Sequence, residues 1–556
     1  MSGIKRLKRP FRTNEDRRAM GWPFVGRACW AGKLFWKASA LLNGVDGETR
    51  LILFFVLVKI GLNLLALIHF GLQRDELLYI TLGDHPAWGY KEAGPLIAFF
   101  SRLTNLLFPD ALFAPRLFST AFSALLVFYT GRITLELGGS KFALTLACLA
   151  VLLSPGFEAS GYLFEPVVFD QFWWTISIYV LIRYLKTSRT GYLYQLGFVL
   201  GIGLLTKASI GFFAVAILAA LIVPGKAYLF YKKHFLYAIV IMLVIIFPNV
   251  VWQISHRLPL FTQMKDLRSQ QLVRITPVYF ALQQLLIHGA AVIIWLLGLY
   301  FLAISPFMLR FRFLALTYLF SFLIFMSLHG KDYYMLGAYP MLFAAGGVFI
   351  ERKFKNFLPG RIGAILLLLI PNLVLLPLFL PVFSLDATKA IFQDLTAEFP
   401  CLAFEGRWDD NQLHPVPQNY GTMIGWDELA AKVYYAYAAL PQARRKRTVI
   451  MADNYGEASS LHVYGKQLHL PEVISLSSSF SLWAPGRINA DYIILVTNRH
   501  HEPGSGHKSG AEGYSKIGEI KNPLAVEQGT GIYLLTKPGR GFYSRYSQAC
   551  SSARSR

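Results

Sequence analysis

The 556 residues are 54% hydrophobic and only 15% charged, with a mean hydropathy of +0.44. That composition excludes a single large soluble domain and points to a polytopic α-helical membrane protein. The formal net charge of +22 does not argue for nucleic acid, because the basic residues stand in short clusters between apolar runs and no groove-reading motif accompanies them.

Residues 1–50 carry eleven Lys and Arg against four acids, and no cleavable signal follows, so this segment is expected to be a basic cytoplasmic one. Apolar runs then fall near 51–70, 114–135, 142–155, 167–185, 193–206, 209–224, 236–254, 280–306, 313–328, 338–350 and 361–382. By length these give about eleven transmembrane helices within a membrane domain of residues 51–384. Clusters such as Lys186 with Arg189, Lys226 with Lys232 and Lys233, and Arg352 with Lys353 and Lys355 repeat the positive-inside pattern, and the odd count puts the C-terminus outside.

The first outer loop, Gln73 to Pro95 (QRDELLYITLGDHPAWGYKEAGP), sets adjacent carboxylates at the membrane face. A carboxylate there suits transfer of a group from a lipid phosphate, taking the proton of an acceptor hydroxyl while cations stabilise the leaving phosphate. Asp75 is the expected base, with Glu76 beside it, although acids at a helix start are also favoured by the helix dipole alone. Asp170, inside VVFDQFWW, joins them as a costly intramembrane carboxylate, whereas Glu165 reads equally as a solvated cap. Lys91, Arg116, Lys207, Arg274 and Lys331 are the expected phosphate-binding cations. Lys207 also fits a lysine snorkelling to the surface. Tyr79, His85, Trp88, Tyr90, Tyr333 and Tyr334 are offered as contacts for sugar and lipid, or as an interfacial belt. No metal spacing is present; Glu92 is the one residue offered for a divalent cation.

Beyond about residue 385 the composition turns globular, and an extracytoplasmic α/β domain is expected over 385–556. WDELAAKVYYAYAAL and YGEASSLHVYGK read as helices, and RTVIMAD, DYIILVTN and GIYLLTK as strands. Residues 500–515 read as a mobile loop and the Ser/Arg-rich stretch after Tyr546 as frayed. Of the four cysteines, Cys29 would be cytoplasmic and Cys148 within a span. Cys401 and Cys550 are thus the pair this topology offers for a disulfide.

RDELLYITLGDHPAWGY with GPLIAFFSRL resembles the first external loop of the bacterial glycosyltransferase family 39, the polyprenyl-phosphate-sugar-dependent enzymes related to protein O-mannosyltransferases and the lipid A aminoarabinose transferase. FDQFWW, GIGLLTKASIGF, FPNVVWQISHRLP, HGKDYYMLGAYPMLFAAG, YGTMIGWDELAAKV and DNYGEASSLHVYG extend the resemblance in the family's order. It implies a GT-C fold, a lipid-linked sugar donor as co-substrate with no other cofactor required, and Asp75 as the catalytic Asp with Glu76 its neighbour and Asp170 the second acidic position. It further implies a bacterial inner membrane and a lipid, glycan or protein acceptor. The sequence departs from the family at Glu92-Ala93-Gly94-Pro95, where Ala93 takes the usual basic position. A transporter or flippase for a lipid-linked or anionic solute stays open beside the transferase, since it too would bury charge among many spans.

Overall fold

The structure is a computed structural model that describes residues 44–109, 111–223, 225, 227–270, 272–498 and 511–555. Most of the basic N-terminal segment with Cys29, Lys226 and most of the 500–515 loop lie outside the described residues. Two compact units divide the chain, Met1–Leu51 and Ile52–Arg556. In the first, Asp46 Oδ1 accepts from the Thr49 amide at 2.7 Å.

Each of the eleven apolar runs is helical, and prolines at the first position start many of the helices, among them Pro95–Leu107, Pro115–Glu136 and Pro166–Thr187. Among the described residues, four single helices are long and apolar enough to cross a bilayer, six spans if two bent pairs are counted. Asp332–Lys353 is the most enclosed, with 83% of its apolar window buried, whereas only 6% of Lys233–Ser255 is, which leaves that helix facing lipid.

The run 280–306 is not one span. Pro277–Leu286 meets Gly289–Ile304 at 102°, and Lys141–Leu153 meets Pro155–Gly161 at 60°. The breaks satisfy each other's polar groups, as backbone in hydrocarbon must. Gly156 N donates to Ile287 O at 2.8 Å, and Ser154 Oγ lies 2.7 Å from His288 Nδ1. Gly289 takes φ +53°, and Asn372 Oδ1 accepts from Ala290 N at 2.9 Å. An added Cβ on Gly289 would stand 2.4 Å from that oxygen, so only glycine fits the turn.

The C-terminal part contains a five-stranded sheet of order β2-β1-β3-β5-β4. Its strands are β1 (Thr448–Ala452), β2 (Val473–Ile474), β3 (Tyr492–Thr497), β4 (Gly513–Glu519) and β5 (Gly531–Thr536). β1 runs parallel to β2 and β3, and β5 antiparallel to β3 and β4. The expected helices appear as Trp426–Ala438 and Tyr455–Gln467. β4 begins inside the stretch expected to be loop; it is an edge strand whose Lys516 pairs with Glu519, a charged edge that resists further pairing.

The tail is not frayed: Arg540–Ser555 is a helix that buries Tyr546 and Cys550 against Ala484, Ile488 and Ala490. Its Arg554 donates to the carbonyls of Ser481 and Ala484. The Cys401–Cys550 pair that the topology offered is not bridged. Cys550 is a buried free thiol with Sγ 3.7 Å from Pro485 O, and Cys401 is free and exposed in the turn Pro400–Gly406.

Candidate active site

The helix Arg74–Leu82 opens on a capping box. Gln73 Oε1 accepts from Asp75 N at 2.7 Å, and Glu76 Oε2 accepts from Gln73 N at 2.8 Å. Adjacent helical residues point about 100° apart, and here they part company. Glu76 turns inward and is wholly buried, accepting from Arg116 Nε and Phe164 N at 2.7 and 2.8 Å and from Arg116 Nη2. Asp75 turns outward and keeps a side chain 35% exposed. Its Oδ1 accepts from Tyr455 Oη at 2.7 Å, with Arg74 Nε at 3.6 Å.

Around Asp75 the structure gathers several expected residues. Glu165, first residue before Pro166–Thr187, lies within electrostatic reach of Asp75, Lys207 and Lys331. Tyr79 shares the neighbourhood of Asp75, Glu165 and Tyr333. Lys207 Nζ stands 4.5 Å from the ring centre of Tyr334 and 5.0 Å from that of Tyr333, and Lys331 lies 6.0 Å from Tyr333. These ammonium groups over aromatic faces are held by the ring quadrupoles. Asp170 is buried; its Oδ1 accepts from Trp174 Nε1 at 3.0 Å and its Oδ2 from Ser209 Oγ at 2.6 Å, within reach of the Lys207 charge.

Other expected residues are engaged elsewhere. Arg116, fully buried, is committed to Glu76 and to Gly71 O at 3.0 Å. Lys91 N donates to Ser479 Oγ at 3.1 Å and Lys91 Nζ to Ala553 O at 2.5 Å, in the last turn of Arg540–Ser555. Glu92 Oε2 accepts from Ser479 N and Oγ at 3.1 and 2.9 Å, and burial pushes its carboxyl up to about 7. Among the described residues no three His, Cys, Asp or Glu side chains come together as a group that could hold a metal ion. Tyr90 is a loop clamp, donating to Leu82 O and His85 O and accepting from Ala87 N. His85 stacks on Trp483 with ring centres 3.9 Å apart, and burial lowers its pKa. Trp88 is 58% exposed, with its carbonyl accepting from Asn249 at 2.6 Å. Arg274 is exposed, and no contact of the described residues ties it to the cluster.

Two features escaped sequence reasoning. Tyr455, within the stretch DNYGEASSLHVYG, touches Asp75, 380 residues away along the chain. A buried ion pair joins Lys59 to Glu158 at 2.6 Å, with Asn63 Nδ2 donating to Gly161 O at 2.8 Å. Lys59 alone inside an otherwise apolar helix was the signal for it. The loop also passes close to Lys207: Leu96 N donates to Leu205 O at 3.1 Å, and a Cβ on Gly94 would stand 2.1 Å from that oxygen. Glycine is thus required at position 94.

The architecture is a helical membrane fold like that of ArnT. The crystal structure of ArnT from Cupriavidus metallidurans bound to undecaprenyl phosphate matches with a TM-score of 0.59 at 13% identity, covering 89% of this chain and 99% of that one. The same protein in the apo state matches at 0.59 and 13%, covering 88% and 98%. Residues 84–252 match the family model for dolichyl-phosphate-mannose-protein mannosyltransferase. No curated protein sequence matches the chain. The resemblance read from the motifs is thereby upheld by two independent comparisons.

Proposed function

We propose that the chain is an integral-membrane glycosyltransferase of a bacterial inner membrane, moving a sugar from a polyprenyl-phosphate-linked donor to an extracytoplasmic acceptor hydroxyl on a lipid, glycan or protein. The observation that carries the reading is the partly exposed Asp75 carboxylate, which shares the surroundings of Glu165 and Tyr333 with two cations, Lys207 and Lys331, flanked by Tyr333 and Tyr334. The acceptor oxygen attacks the anomeric carbon, its proton passes to Asp75 Oδ2, and the bond from that carbon to the phosphate oxygen breaks. The charge left on the polyprenyl phosphate is met by Lys207 and Lys331. Asp170 orients Lys207 rather than touching the sugar. Glu76 and Arg116 brace the helix that carries Asp75, a structural role in place of the catalytic and phosphate-binding ones expected of them.

Support comes from the family match over 84–252, which takes in Asp170 and Lys207, and from the shared fold of a protein whose crystal structure holds undecaprenyl phosphate. The test is a panel of undecaprenyl-phosphate-linked hexoses and pentoses, labelled in the sugar and incubated with membranes containing the protein. Label should pass to a lipid, glycan or protein fraction, and Asp75→Asn should cut the rate by at least about a hundredfold, the scale of general-base catalysis. No transfer from any member, or transfer that Asp75→Asn leaves intact, would refute the assignment.

A further inference from the structure

We infer that Tyr455, in the C-terminal part of the chain, is a positioning residue for the Asp75 carboxylate. The inference rests on the proposed role of Asp75 as the base. Tyr455 opens the helix Tyr455–Gln467, and its place is fixed by a second capping box: Asn454 Oδ1 accepts from Glu457 N at 2.9 Å while Glu457 Oε2 accepts from Asn454 N at 3.2 Å. That helix and Arg74–Leu82 lie side by side and are clasped at both ends. At one end Tyr455 Oη donates to Asp75 Oδ1 at 2.7 Å. At the other, Asp84, just beyond Leu82, accepts from His462 Nε2 at 3.0 Å and from Lys466. Between them Gly456 admits Arg74, for an added Cβ there would stand 2.7 Å from Arg74 Cγ. The Arg74 guanidinium lies 5.5 Å from the centre of the Tyr455 ring.

The consequence for chemistry lies in what is left free. Oδ1 is taken by the phenol and approached by Arg74, so the carboxylate is held in one orientation with Oδ2 open for the acceptor proton. A ring that merely filled space would serve as well without its hydroxyl, and this separates positioning from packing.

Tyr455→Phe keeps the ring, its contact with Arg74 and the helix docking, and removes only the donor. With the donor identified by the panel above, kcat should fall about tenfold or more while KM for the donor stays within about twofold. The melting temperature should be unchanged, which certifies the fold. Carbodiimide labelling of Asp75 in the purified full chain, mapped by peptide mass spectrometry, should rise, because the carboxylate has lost its partner. An unchanged kcat overturns the inference, and so does a raised KM at constant kcat or unaltered labelling. Asp75→Asn is assayed alongside: if it stays active, the base assignment itself fails, whereas an inactive Asp75→Asn with a fully active Tyr455→Phe refutes only the positioning role.

Discussion

Arg116→Met tests whether Glu76 and Arg116 are a brace or part of the catalytic apparatus. Both side chains are fully buried, and the two Glu76 oxygens accept from Arg116 Nε and Nη2, Gln73 N and Phe164 N. Removing the guanidinium leaves a buried carboxylate with two backbone donors and no cation. Breaking a buried pair from one side costs about 3–5 kcal/mol, a large part of the roughly 5–15 kcal/mol that typically holds a domain folded. Glu76→Gln in the same chain removes the stranded charge while its amide oxygen still accepts from Phe164 N. The double variant should therefore recover at least about half of the loss, a coupling of the kind double-mutant cycles report. Denaturant unfolding in detergent micelles, followed by tryptophan fluorescence, measures both. A loss below about 1 kcal/mol, the worth of an exposed pair, would refute the brace. A stable Arg116→Met protein with a raised donor KM would return Arg116 to phosphate binding.

Lys207→Ala should raise the apparent KM for the lipid donor about ten- to a hundredfold, the worth of a charge-assisted bond; an unchanged value would leave Lys207 a snorkelling lysine. Glu92, raised to about 7 from an ordinary 4.5, contributes stability that is complete below 4.5 and lost as pH rises through 7. Glu92→Gln should thus melt progressively higher relative to wild type between pH 5 and pH 8, and a gap independent of pH would contradict the burial argument. For topology, reporter fusions at residues 40 and 420 should report cytoplasm and periplasm respectively, from the basic clusters and the odd helix count; the same compartment at both ends would overturn the placement of the Asp75 loop.

How far the sequence was legible depended on whether the deciding partner was local. Run length placed all eleven apolar runs on helices because hydropathy is a property of the segment itself, but it passed over the shorter apolar helix Pro95–Leu107, which follows the charged loop directly. It could not find the 102° break within 280–306, because what supports that break is Asn372, some eighty residues on. β4 escaped for the reason edge strands do: GYSKIGE is polar and shows little of the apolar alternation that marks a half-buried strand. The terminal helix, by contrast, was readable. Its Ser and Arg content suggested fraying, but Phe542, Tyr546 and Cys550 recur at four-residue spacing on the face that is buried.

At the site, residue type was legible and direction was not. Asp75 and Glu76 are chemically near-equivalent neighbours, and only the helix they begin decides that one meets solvent and the other Arg116. The same holds for the rest of the loop. His85 was offered to sugar or lipid, Lys91 to phosphate and Glu92 to a cation, yet each of them, like Asp84, is engaged by the C-terminal part of the chain: Asp84 by His462 and Lys466, His85 by Trp483, Lys91 by Ala553 and Glu92 by Ser479. Those four groups are thus already partnered within the chain, while the Trp88 side chain of the same loop stays exposed. If Asp75 is the base, as proposed, the C-terminal part acts on it directly, because that part holds the loop at several points and meets the Asp75 carboxylate through Tyr455.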